Sequence, residues 1–288
     1  MFIAVALLAS LGALPATASP PAPRPTAPAA RSEATTQLPR GVRPTHYDVA
    51  VTPDAGALTF KGKVAIAIDV LAPTSTLVLN AIDLTFADVR LSGGPGQAAF
   101  APPQVAVSDA DQTATFTFAK VIPPGAYRLT ADYAGRIGTQ AVGLFALDYE
   151  TPEGRKRALF TQFENSDARR LLPCWDEPSY KATFTLEVEV PSAQMAVSNM
   201  PVVSRTDLGH GQSRVLFAPS PKMSTYLLFL AVGDLDRATT HVGTTEIGVV
   251  TQKGAAAQAA FALSSSAAVL REYNDYFAVP YPLPKLDN

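Results

Sequence analysis

From Leu38 onward the chain is patterned largely in a period of two. Val64, Ile66, Ile68 and Val70 alternate with Lys63, Ala65, Ala67 and Asp69, so an extended segment there has one oily face and one small or polar face. The pattern returns where Ala114, Phe116 and Phe118 alternate with Thr113, Thr115 and Thr117. It returns again where Tyr127, Leu129, Ala131 and Tyr133 share a face, with Pro123, Pro124 and Gly125 supplying the turn between. Residues 184–190, 214–217 and 226–232 read as further strands, and residues 92–103 as a Gly/Pro loop. Many short half-buried strands separated by turn signals predict a mainly β fold, an antiparallel sandwich.

The period lengthens to three and four only over residues 255–277, where Ala259, Leu263, Ala267, Leu270, Tyr273 and Phe277 recur, which predicts a helix. The change of texture after Ala238 marks a domain boundary, so residues 38–238 are expected to form the β domain and residues 239–288 to open a second one. With 47% hydrophobic and 17% charged residues, the 288-residue chain has the apolar surface to fold and is not a disordered sequence. A net charge of -2 and an isoelectric point near 5.9 give no long-range attraction for polyphosphate, and no run of basic residues compensates. Nucleic acid is therefore not expected as a partner.

Phe2 to Leu14 form an apolar run, followed by Pro15 and the small triplet Ala16-Thr17-Ala18, which reads as an export signal over residues 1–18. The run is shorter than the roughly 20 residues a spanning helix needs, so no stable membrane anchor is expected and the protein is placed in the periplasm or outside the cell. No Lys or Arg precedes Arg24, which departs from the usual basic start of such signals. Residues 19–37 are rich in Pro, Ala and Thr and read as an extended tether. Cys174 is the only cysteine, which excludes an intramolecular disulfide, and its neighbours Pro173 and Trp175 point to a buried, inert thiol.

The densest group of polar side chains lies in FTQFENSDARRLLPCWDEP, residues 160–178. Alternation puts Phe160, Gln162 and Glu164 on one side of an extended segment and Thr161 and Phe163 on the other. An amide and a carboxylate then face the same way. Such a pair is suited to a peptide ammonium, whose pKa near 8 keeps it largely protonated at pH 7; from spacing alone, an ordinary solvated strand face is the favoured reading, since exposed polar residues are common. Asp167, Arg169, Arg170, Asp176 and Glu177 read as a structural ion-pair network that fixes the loop. Trp175 reads as a core aromatic.

The segment TQFENSDARRLLPCWDEPSYKATFTLEVEVP closely resembles the signature of the N-terminal domain of the aminopeptidase N family, a branch of the gluzincin zinc metallopeptidases. LPRGVRPTHYDVAV, PKMSTYLLFLAVGDL and YNDYFAVPYPLPKLDN agree in the same order, so the resemblance covers residues 38–288. It implies a saddle-like antiparallel β-sandwich followed by the first strand and helix of a truncated thermolysin-like α+β catalytic domain. It also implies a hydrolase acting on peptide substrates with a free N-terminus, zinc as the cofactor of the complete enzyme, and a substrate-binding role for Gln162 and Glu164.

The family's Gly-x-Met-Glu-Asn loop and its H-E-x-x-H zinc motif are absent from this sequence. The three histidines, His46, His210 and His241, include no pair at the i, i+4 spacing such a site needs. The chain as given is expected to hold no metal and to perform no catalysis without the missing catalytic domain. The alternative is a complete, non-catalytic β-sandwich that binds peptides or a protein partner. A lone helix after residue 238, with little to cover its apolar face, favours the first reading.

Overall fold

The computed structural model describes residues 37–95 and 99–288. The export signal and all but the last residue of the tether lie outside the described residues. In chain order the strands begin with β1 (Val42–Asp54), β2 (Thr59–Val70), β3 (Thr74–Asn80), β4 (Thr85–Gly93), β5 (Gln104–Ser108) and β6 (Thr113–Ile122). Next come β7 (Gly125–Arg136), β8 (Gly143–Thr151), β9 (Gly154–Gln162), β10 (Thr183–Pro191), β11 (Met195–Ser198), β12 (Val202–Gly209) and β13 (Gln212–Phe217). The remainder is β14 (Leu230–Gly233), β15 (Leu235–Val242), β16 (Thr245–Gln252), helix α1 (Ala260–Phe277) and β17 (Lys285–Asp287).

These strands build a seven-stranded sheet, β12-β13-β10-β1-β2-β7-β4, and three smaller ones, β11-β14-β9-β8, β3-β6-β5 and β15-β16-β17. Pairing is antiparallel except between β1 and β10 and between β16 and β17. Alternation decides which faces meet: Val64, Ile66, Ile68 and Val70 of β2 are buried, as are Tyr127, Leu129, Ala131 and Tyr133 of the adjoining β7. They share one core with Leu77, Leu79, Phe116 and Phe118 of the β3-β6-β5 sheet and with Leu144, Leu159, Leu230 and Val232 of the β11-β14-β9-β8 sheet. Aromatic edges lock the layers, with Phe86 and Phe116 at 5.3 Å between ring centroids and 82° between planes. The mainly β sandwich read from the sequence is the fold observed.

Two segments differ in detail from the sequence reading. Residues 226–232 do not form one strand: a 3-10 turn spans Thr225–Leu227, and the strand starts only at Leu230. Ser224 and Thr225 are buried, and their hydroxyls donate to Pro178 O at 3.1 Å and to Asp176 Oδ1, so side-chain bonds to a segment distant in sequence hold the turn there in place of a ladder. The segment after residue 238 carries more strand than the single one expected, because β15 and β16 form a hairpin that β17 extends. Helix α1 begins at Ala260, after a 3-10 turn over Ala256–Ala259. Its face is also partly covered. Ala267 and Leu270 pack with Val242 and Ile247, beside Leu263, Tyr281 and Leu286, whereas Tyr273 (57%) and Phe277 (63%) of the same predicted stripe are exposed. Arg237 clamps this small sheet through Glu246 at 2.6 Å and Asp287 at 2.7 Å. Among the described residues, no helix is long and apolar enough to cross a membrane.

Candidate functional site

Gln162 is the last residue of β9, where it lies opposite Gly143 of β8. On each side of it a buried neighbour is tied down. Thr161 Oγ1 accepts the Leu230 N–H at 2.8 Å, which binds β9 to β14 beyond their two paired positions. Phe163 fills the main core, and its carbonyl accepts the Asp167 N–H at 2.9 Å. Gln162 and Glu164 are both exposed. The strand was expected to run on through Glu164; instead Glu164 stands in a turn, and the peptide bond after it is cis. The turn closes on the amide itself, because the Glu164 N–H donates to Gln162 Oε1 at 3.2 Å. That bond occupies one lone pair of the oxygen and leaves the second open. The bond joins the Gln162 side chain to the Glu164 backbone, and both side chains stand exposed at the end of β9.

The charged loop behind them sorts into separate pairs rather than one network. Arg169 Nε binds Asp176 Oδ2 at 3.0 Å, and the remaining guanidinium donors reach Gln112 Oε1 at 3.0 Å and Asp176 O at 3.1 Å. Arg170 binds Asp167 at 2.9 Å and reaches Asp83 at 3.3 Å. Glu177 faces the other way, accepting the Leu38 N–H at 2.6 Å and pairing with Arg40 at 2.7 Å. Only the Arg169–Asp176 pair is withdrawn from water, with side-chain exposures of 12% and 1%.

Long-range partners complete the support. Asn80 is buried, its backbone exchanges two hydrogen bonds with Cys174, and its Oδ1 accepts the Asp176 N–H at 3.0 Å. The Tyr47 hydroxyl accepts the Trp175 N–H at 3.2 Å, and the Tyr47 ring stacks on Phe184 at 4.8 Å. Asn80, Thr161 and Tyr47 were not singled out from the sequence. Their partners lie 69 to 128 residues away, and no local pattern signals them. Trp175 is a core residue. Burial, reinforced by the nearby Asp176 carboxylate and opposed by Arg169, pushes the Cys174 thiol far above the usual thiol range.

Among the described residues no group of three His, Cys, Asp or Glu side chains converges to hold a metal. His46 binds Thr183 and Asp48 on the seven-stranded sheet, His210 sits in the β12–β13 turn, and His241 lies on β15 near Glu246. These residues do not fit a zinc site of the kind the resemblance implies.

Residues 43–227 match the family model described as the peptidase M1 N-terminal domain. Over 252 residues, 87% of this chain, the sequence is 40% identical to an aminopeptidase N of Acetobacter pasteurianus, of which the match spans 69%. It is 39% identical to aminopeptidase M1 of Arabidopsis thaliana and 32% identical to endoplasmic reticulum aminopeptidase 1 of Rattus norvegicus, with 87% of this chain covered in each case. The chain spans only 29% and 27% of those two proteins. With a family model matching well over half of its length and a relative 40% identical over 87% of it, this chain belongs to the peptidase M1 aminopeptidase N family through its N-terminal domain.

Proposed function

We propose that this chain is the N-terminal part of an exported zinc aminopeptidase, in which Gln162 and Glu164 receive the free N-terminus of a peptide substrate. The observation that carries the proposal is the split at the end of β9, where Thr161 and Phe163 are anchored inward while Gln162 and Glu164, two residues apart and linked through the Glu164 N–H, are exposed. A substrate ammonium offers three N–H donors and one positive charge. The Glu164 carboxylate answers the charge, and the open lone pair of Gln162 Oε1 fixes the direction of approach. The names of the relatives support an aminopeptidase, and the apolar start of the chain supports export to the periplasm or beyond. Zinc and bond cleavage belong, in this reading, to residues outside this chain.

The test uses a chain extended through a catalytic portion. Losing one partner of a desolvated charge pair costs about 2 to 5 kcal/mol, so Glu164→Ala lowers kcat/KM roughly 30-fold to 1,000-fold or more. Gln162→Ala, which removes no charge, lowers it less. Unchanged kcat/KM in the Glu164 variant overturns the assignment.

A further inference from the structure

We propose that a basic cleft of about 450 Å³, formed where β1 starts beside the entrance to β10, binds a phosphate monoester carried on a small polar body. Arg40, Arg43, Lys181 and Lys222 line it together with Ser179 and Tyr180, and no carboxylate is among its lining residues. The sequence shows no basic run because these cations come from three places along the chain and meet only in the fold.

Arg40 is held in place before any ligand arrives. It pairs with Glu177 at 2.7 Å, donates to Ser179 Oγ at 3.1 Å, and lies 5.1 Å from the centre of the Tyr180 ring. Arg43 is turned toward Asp69 at 3.1 Å, and Lys181 donates to Ser224 Oγ at 2.7 Å. Each of these groups keeps further N–H donors for a ligand.

The charge balance selects the ligand. Glu177 and Asp69 neutralise the two arginines from outside the cleft, whereas Lys181 and Lys222 have no ion-pair partner among the described residues. Two positive charges remain, matching the charge of about -1.5 to -2 on a phosphate monoester at neutral pH, while a carboxylate would answer only one of them. A long polyanion would need basic residues beyond the cleft, on a chain whose net charge is -2. The volume lies in the range of small-molecule clefts and leaves room for a body beyond the phosphate. None of the lining residues belongs to the sheet that carries Gln162, so this site is separate from the proposed peptide site.

The experiment titrates the 288-residue protein with inorganic phosphate and with glycerol phosphate by calorimetry at low ionic strength, and sediments it with phosphatidylcholine vesicles with and without phosphatidate. Lys222→Gln, which removes an exposed side chain, and the Lys181→Gln/Lys222→Gln double variant serve as comparisons, with folding checked by circular dichroism. Glycerol phosphate binding that weakens about tenfold in the double variant supports a soluble monoester. Phosphatidate-dependent sedimentation lost in the double variant assigns the same chemistry to a lipid headgroup. Absence of both kinds of binding, or binding that neither variant weakens, overturns the proposal.

Discussion

Thr225 donates its hydroxyl proton to Asp176 at 2.5 Å, joining segments 49 residues apart in the chain. Asp176 thereby connects the loop that follows the candidate site to the 3-10 turn that leads into β14, and β14 pairs with β9, whose last residue is Gln162. Both carboxylate oxygens are engaged, since the other one binds Arg169.

Removing that carboxylate leaves the Arg169 guanidinium largely buried and without its ion partner. Asp176→Ala is expected to lower the unfolding free energy by about 3 to 5 kcal/mol, and Thr225→Val, which removes one hydrogen bond to a charged group, by about 1.5 to 3 kcal/mol. Urea unfolding followed by tryptophan fluorescence reads both, because Trp175 is the only tryptophan and adjoins the pair. A loss below about 1 kcal/mol for Asp176→Ala would show that the pair does not hold this region together.

Cys174 is expected to be unreactive while the protein is folded. Burial favours its neutral thiol and blocks approach of a reagent, and the nearby Asp176 carboxylate disfavours the thiolate further. Native protein therefore resists a disulfide-exchange reagent at pH 8, and one thiol per chain reacts in guanidinium. Rapid labelling without denaturant contradicts the packing described.

Acid sensitivity follows from two carboxylates whose arginine partners hold them below the ordinary range. The hydrogen bond from Arg157 lowers Asp148, and the hydrogen bond from Arg214 lowers Glu189 against the opposing effect of partial burial. A carboxyl group whose folded pKa is depressed contributes its full stabilisation above its unfolded value, about 4, and loses it as pH falls through the lower folded value. The melting temperature is thus expected to fall below about pH 4, and Asp148→Asn to shallow that fall, as calorimetry from about pH 6 to 2 would read. An identical acid limb in the variant removes Asp148 from the explanation.

The 288-residue chain alone is expected to retain no stoichiometric zinc after dialysis and to leave an amino-acid amide uncleaved, since its histidines lie on separate elements. Metal analysis and a fluorogenic assay read the two together. Near-equimolar zinc with turnover would mean that His46, His210 or His241 takes part in a site the fold does not reveal.

The alternation in β2, β6 and β7 was legible in the sequence because a half-buried strand must repeat every two residues, and local spacing alone settles which side is oily. At residues 226–232 the same apolar texture misled. Ser224 and Thr225 just before it bend the chain through bonds to Pro178 and Asp176, which are distant in sequence. Gln162 and Glu164 stood out in the sequence as polar residues flanking a core Phe163, and both are exposed; their turn was not legible, because the amide that closes it reads as an ordinary polar residue. The basic cleft and the support from Asn80 depend on pairings made only in the folded state, such as β1 alongside β10. Charge counts and local motifs carry no trace of them.

The in-and-out order at the end of β9 has a consequence for how this protein can change over generations. Folding constrains Thr161 and Phe163 through the core and β14, while Gln162 and Glu164 are exposed and linked to each other by the single bond that closes their turn. In a library randomised over residues 161–164 and sorted for folded yield, every second position stays close to its parent while the others drift. The peptide site proposed at this turn could then be retuned by single substitutions without compensating changes elsewhere in the scaffold.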